Sequence, residues 1–432
     1  VKIMRKITVN VSNELGEKTY TTTLDNGLKV YICKKEGFSK KIGLFGTKYG
    51  SLINDFVDIT TGKRIKVPDG IAHFLEHKLF EKEGANALDL FSKMGVSSNA
   101  YTSFDQTVFY FETIDKFKES IEMLVKLIKE PYFTDENVEK EQGIIGQEIG
   151  MYDDDPGFSV YFNALRAMYI NHPIRIDIAG TVETISHINK ELLYTCYNTF
   201  YSPQNMFYIV VGDVDVEETI DLIEKNIKKY DKNNISHEEI KKYIVHEPEE
   251  INKKEIIKEM EIYMPLLCIG YKLNVVSEYE NIKRQIICEI ISDLYFSKIS
   301  DFYEDEYNKG IVADEISFDY EGTDNFSHVI ISASSTKVDN LKKDIINYIE
   351  KIKDDEINID KFNLVKKKKI GYTEFSADNL NSSYRRIIEH SLYGEDLYCD
   401  IKILNEIKPE DIKEFFKDLN VENQVISVVK GK

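Results

Sequence analysis

Apolar and polar residues recur along the chain with two periods, and the switches between them mark out its elements. Thr21 to Leu24 and Leu28 to Cys33 read as strands on either side of Asp25-Asn26-Gly27, where Asn-Gly supplies the positive φ angles of a tight hairpin turn. A sheet therefore opens the chain. Ile42 to Tyr49 is a second apolar stretch, followed by a loop rich in Gly, Asp and Lys that ends at Pro68-Asp69-Gly70. The composition of Ile71 to Phe80 then predicts a helix opened by the proline. Thr107 to Thr113 alternates as a strand, and Phe117, Ile121, Leu124, Val125 and Ile128 follow at the 3.6-residue helical period as far as Pro131. Thr134 is placed to N-cap a further helix running to about Tyr152, which Asp153-Asp154-Asp155-Pro156-Gly157 terminates. Strands and helices alternate without a βαβ rhythm.

A chain of 432 residues divides most naturally into two domains of roughly 200 residues each. Around Asp231 to Glu255 the sequence becomes strongly charged, the composition of an exposed connection. This predicts a domain over 1–230, a charged linker over 231–254 and a second domain over 255–432. The two halves also end alike. Thr184-Ile-Ser-His-Ile with Tyr201 to Gly212 echoes Glu406 to Ile412 with Asn420 to Gly431, each a helix followed by a terminal strand. That echo alone leaves duplication open.

Composition is that of a globular protein, with 42% hydrophobic and 30% charged residues. Its 75 acidic and 56 basic residues give a net charge of -19, which opposes nucleic-acid binding. Lys366 to Lys369 sit among carboxylates and read as a solvated helix face. The five cysteines are scattered and odd in number, never in a C-x-x-C pair, as expected of buried thiols in a reducing compartment. The first residues lack an apolar signal core, and no run approaches the roughly 18 apolar residues of a membrane span. A cytoplasmic protein with neither nucleic-acid nor membrane partner is expected.

His73-Phe74-Leu75-Glu76-His77 is an H-x-x-E-H motif. On a helix, histidines four apart project from one face, so both imidazoles reach one metal ion, and Glu76 neighbours that face as a candidate proton acceptor. The same residues also fit two hydrogen-bonded histidines on an amphipathic helix. A catalytic zinc separates the readings by requiring a third ligand. The helix after Thr134 offers Glu139, Glu141 and Glu148, of which Glu141 and Glu148 are two turns apart on one face. One can bind a metal while the other holds a ligand histidine. Gly143, Gly146 and Gly150 weaken that helix, which predicts close packing against another element.

Pro68 to Glu81, Gly95-Val-Ser-Ser-Asn-Ala-Tyr-Thr-Ser, Glu141 through Glu148 and Asp177-Ile-Ala-Gly-Thr stand in one order over the first half of the chain. In this the sequence resembles the pitrilysin/insulysin family of inverted-motif zinc peptidases, which includes the mitochondrial processing peptidases, and within it the bacterial YmfH-type subgroup. The resemblance implies an α+β fold of two similar halves, each a mostly antiparallel sheet packed with helices, a duplicated metallopeptidase half-clamshell with an inactive second copy. It implies one Zn2+ per chain held by His73, His77 and Glu148, with Glu76 as general base and Glu141 supporting a ligand histidine. Asn99, Ala100 and Tyr101 resemble the edge strand on which an extended peptide is held.

Active relatives also place an Arg and a Tyr, seven apart, in the second half, where they hold the substrate carbonyl. Here the matching positions carry Glu306 and Ala313. Arg386 and Tyr393 have the right separation but lie too late in the half. The expectation is a zinc endopeptidase that cleaves peptides or small unfolded segments in extended form, inside a chamber formed by two chains. The alternatives are a zinc-bearing subunit that needs a related zinc-less partner to supply the Arg/Tyr pair, and a peptide-binding subunit without turnover. Homodimer and heterodimer are both open.

Overall fold

The computed structural model describes residues 5–231 and 239–432. The first four residues and positions 232–238 of the expected linker lie outside the described residues. Twelve strands build the two large sheets: β1 (Thr8–Ser12), β2 (Glu17–Thr23), β3 (Lys29–Lys34), β4 (Lys41–Thr47), β5 (Ser97–Thr102), β6 (Thr107–Thr113), β7 (Met206–Gly212), β8 (Glu255–Met260), β9 (Leu266–Lys272), β10 (Ser317–Gly322), β11 (Ser327–Ser334) and β12 (Gln424–Gly431). The helices that matter below are α1 (Ile71–Phe80), α2 (Phe117–Lys129), α3 (Asp135–Asp153), α4 (Pro156–Met168), α5 (Asp301–Asn308), α6 (Val338–Asp354), α7 (Ile359–Ser376) and α8 (Leu380–Glu389).

The first sheet runs β1-β2-β3-β7-β4-β6-β5 and the second β8-β12-β9-β11-β10. In each sheet one pair is parallel and joins an early strand to the last strand of its half, β3 with β7 and β8 with β12. Every other pair in both sheets is antiparallel. The order β3-β7-β4-β6-β5 therefore repeats as β8-β12-β9-β11-β10. The two halves are one α+β topology used twice.

The hairpin expected around Asn26-Gly27 joins β2 to β3, with Gly27 at φ 89°. Its first strand begins at Glu17, ahead of the apolar residues that signalled it. At the centre of the first sheet, all seven residues of β7 are buried, so the strand reads as a continuous Met-Phe-Tyr-Ile-Val-Val run rather than an alternation. α2 and α3 follow the expected bounds, and α3 is capped by reciprocal hydrogen bonds between Thr134 and Asn137.

The chain forms two compact units. One is drawn from residues 1–149, 177–244 and 376–389, the other from 150–176, 245–375 and 390–432. In each half, three helices follow the antiparallel pair β6-β5 or β11-β10: α2, α3 and α4 in the first, α6, α7 and α8 in the second. The third helix of each set lies in the other half's unit. α4 packs its buried Val160, Phe162, Ala164, Leu165 and Met168 against β9 and β12. α8 packs against β3 and β7. All five cysteines are buried and unpaired.

Candidate metal centre

α1 is buried along most of its length by Ile71, Ala72, Phe74, Leu75, Leu79 and Phe80, which leaves His73 and His77 on its half-exposed edge. Its N-cap is Gly70 at φ 89°, not a residue set by Pro68, which lies two positions earlier. A Cβ on Gly70 would collide with the carbonyl of Ala179, and one on Gly180 with that of Asp69. Only glycines allow these two backbones to touch, so Asp177 to Thr181 braces the start of the helix.

The imidazole centroids of His73 and His77 lie 4.6 Å apart. Nε2 of His73 is 3.8 Å from Oε1 of Glu148, and Nε2 of His77 is 3.6 Å from Oε2. All three candidate ligand atoms lie within 4.8 Å of one another, and no other group of three such side chains converges among the described residues. A tetrahedral zinc with bonds of about 2.0–2.1 Å needs its ligand atoms about 3.4 Å apart. Two imidazoles and one carboxylate at these separations fit that ion, with one position left for substrate or water.

Glu141 stands behind His77. Its Oε1 lies 3.0 Å from Nδ1 of the imidazole. Nζ of Lys78, a fully buried lysine, is 3.7 Å from Oε2 of Glu141, hydrogen-bonds the Asn137 carbonyl at 3.1 Å and pairs with Glu81. Glu76 is 7% exposed and accepts a 2.6 Å hydrogen bond from Oγ1 of Thr102, the last residue of β5.

These contacts divide the acid–base character of the cluster. Burial, with the neighbouring His77, pulls His73 down to about 4, so its ring stays neutral and a lone pair is available. Burial would also lower His77, but the Glu141 hydrogen bond and the charges of Glu76, Glu141 and Glu148 outweigh it and raise its pKa. Burial raises Glu76 above the usual carboxylate range against the opposing Thr102 hydrogen bond. A carboxylate with raised proton affinity, beside the cluster but outside it, is suited to accept a proton.

Asn99, Ala100 and Tyr101 lie on β5, one of the two edge strands of the first sheet, which pairs on one side with β6. Asn99 is exposed, Ala100 and Tyr101 half-buried, and the same strand ends on Thr102 beside Glu76. Neither substitute in the second half supplies a donor. Glu306 is 1% exposed with Oε1 2.7 Å from Lys309, and Ala313 offers a backbone carbonyl to the Tyr303 hydroxyl. Arg386 is occupied elsewhere, buried 3.6 Å from Glu17.

Sequence reasoning missed two groups. Thr102 lies one residue beyond Asn99, Ala100 and Tyr101, and strand alternation puts it on the face of Ala100, but its bond to Glu76 depends on where α1 lies against β5. Lys78 carried a usable signal, a lysine four and three residues after Phe74 and Leu75 and so on the apolar face of its helix. One expectation fails: a Cβ on Gly143, Gly146 or Gly150 would meet nothing within 4 Å, so no described element packs closely against α3 at these three positions.

The family described as insulinase (peptidase family M16) matches residues 55–182, and the one described as peptidase M16 inactive domain matches 187–369. The uncharacterized zinc protease YmfH of Bacillus subtilis is 38% identical over 407 residues, 94% of this chain and 94% of that protein. The chain belongs to the M16 peptidase family. An M16-like peptidase structure from Alicyclobacillus acidocaldarius superposes with a TM-score of 0.90 at 32% identity, covering 98% of this chain and 100% of that one. A protease structure from Helicobacter pylori gives 0.84 at 20% identity, covering 96% and 99%. The M16 fold thus extends over both units, and the part of the chain matched by the inactive domain lacks a second H-x-x-E-H. Among the described residues no helix is long and apolar enough to cross a membrane.

Proposed function

We propose that the chain is a zinc metalloendopeptidase that cleaves peptides in extended form, with His73, His77 and Glu148 holding one Zn2+. The observation that carries this is the convergence of those three side chains with Glu76 beside them and Glu141 behind His77. Zinc, when bound, supplies a Lewis acid that polarises a scissile carbonyl and acidifies water. Glu76 takes the proton of the attacking water and delivers it to the leaving amine, and Thr102 holds that carboxylate in place. The free side of β5 receives the peptide as an added strand through Asn99, Ala100 and Tyr101. The reaction takes place in a chamber formed by two chains, in the cytoplasm.

A second reading rests on Glu306 and Ala313. Because neither offers a donor for the developing oxyanion, a related zinc-less subunit would supply it, or the chain would bind peptides without turnover. Hydrolysis of a mixed quenched-fluorescent peptide pool by the purified zinc-loaded chain tests the first reading, with Glu76→Gln as blank. Turnover equal to that blank refutes stand-alone activity. Turnover that then appears on adding a related subunit carrying the Arg/Tyr pair establishes the heterodimer.

A further inference from the structure

In the second unit, α5, α6 and the residues that follow α6 enclose a cleft of about 480 Å³. Its wall is aromatic: Phe302 stacks on Tyr348 with centroids 4.3 Å apart, and Tyr295 meets Tyr348 edge-on. Its lining is acidic, with six carboxylates against three lysines. Glu306 lies among them at 1% exposure, with Oε1 bound by Lys309 and Oε2 buried without any hydrogen-bond partner. A buried carboxylate oxygen without a donor is costly, and an entering cation removes that cost.

The form of the cation follows from the geometry. These carboxylates are not gathered tightly enough to hold a metal ion, since the only convergent group among the described residues is that of His73, His77 and Glu148. We propose that the cleft binds an organic cation on an alkyl stem, the guanidinium or ammonium of a basic side chain, with Glu306 as its buried anchor. The stem lies along Tyr295, Phe302 and Tyr348, and the charged head reaches Glu306 past the exposed Asp305 and Asp355. This site belongs to the second unit and stands whether or not the zinc centre hydrolyses peptides.

The test is calorimetric titration of the full chain with Nα-acetylarginine amide at low ionic strength, against Nα-acetylcitrulline amide, which has the same shape without the charge. Saturable binding of the arginine compound alone is expected, weakened by added salt. Hydrogen exchange should slow over 301–309 and 344–357. Glu306→Gln should weaken binding about tenfold. Should that variant not fold, Asp305→Asn with Asp355→Asn alters only exposed carboxylates and should weaken binding about threefold. Equal binding of the citrulline compound, protection over 71–80 instead, or a double variant with unchanged affinity overturns the proposal.

Discussion

Oε1 of Glu141 lies 3.0 Å from Nδ1 of His77. That contact assigns the proton to Nδ1 and leaves the Nε2 lone pair facing Glu148. In the proposed site the carboxylate thus sets the orientation and basicity of a histidine ligand. Glu141→Gln keeps the shape and loses the charge, and should weaken zinc binding by about 10–100-fold. Competition with a chromophoric chelator measures this, and wild-type affinity in the variant would refute the role.

Lys78 has no exposed surface, and its contacts run to Glu81, Glu141 and the Asn137 carbonyl. Lys78→Met fills nearly the same volume but leaves those acceptors without a cation. A loss of about 2 kcal/mol in urea unfolding is expected, from charge-assisted hydrogen bonds in a buried site. Lys78→Arg should recover little, because a planar fork does not fit a point-charge site.

Thr102→Val removes the hydroxyl that holds Glu76 and changes almost no volume. If Glu76 is the general base, kcat should fall about tenfold while KM and zinc affinity hold, since a base displaced by a fraction of an ångström loses proton-transfer geometry first. A matching fall in zinc affinity would show that Thr102 supports the metal cluster instead.

The residues proposed for the metal centre can be read from helix pitch, which puts His73 and His77 on one face of α1 and Glu141 and Glu148 on one face of α3. Local spacing carries that information, and so do the hairpin at Asn26-Gly27 and the strand 107–113. The exchange of α4 and α8 carries no such signal. Both are ordinary amphipathic helices, and periodicity reports which face is buried without reporting which sheet buries it. Thr102 escaped for the same reason, since its partner Glu76 is fixed by tertiary contact rather than spacing, and so did the contacts of Lys78 with Glu141 and the Asn137 carbonyl.

α8 is anchored on the first unit by buried polar contacts. Glu17, 2% exposed, accepts from Ser383 at 2.5 Å, pairs with Lys35 at 2.5 Å and lies 3.6 Å from Arg386. Lys35 in turn bonds the Ala377 carbonyl at 2.5 Å. Glu17→Gln removes the carboxylate charge beside the buried Lys35 and Arg386 and should destabilise the first unit by about 3 kcal/mol. Limited proteolysis should then cut within 376–389 before any other site, and an unchanged cleavage pattern would show that apolar packing alone holds the helix.

His172 should make the second unit acid-sensitive. Burial, joined by the charges of His328 and Lys272, pulls it down to about 4, although Glu247 opposes the shift. Its Nδ1 accepts the Ile174 N–H at 3.2 Å, an arrangement that a proton on that nitrogen would break. The folded form therefore binds its proton only near pH 4, whereas the unfolded chain binds it near pH 6.5. Between those values the unfolded state holds more protons, so stability rises with pH across the window and is lost as pH falls through it. The full effect is on the order of 3 kcal/mol. His172→Asn can accept the same N–H without titrating, so its urea midpoint should change less between pH 7 and pH 5 than that of the parent chain. Equal slopes in the two proteins would mean that other groups carry the acid sensitivity.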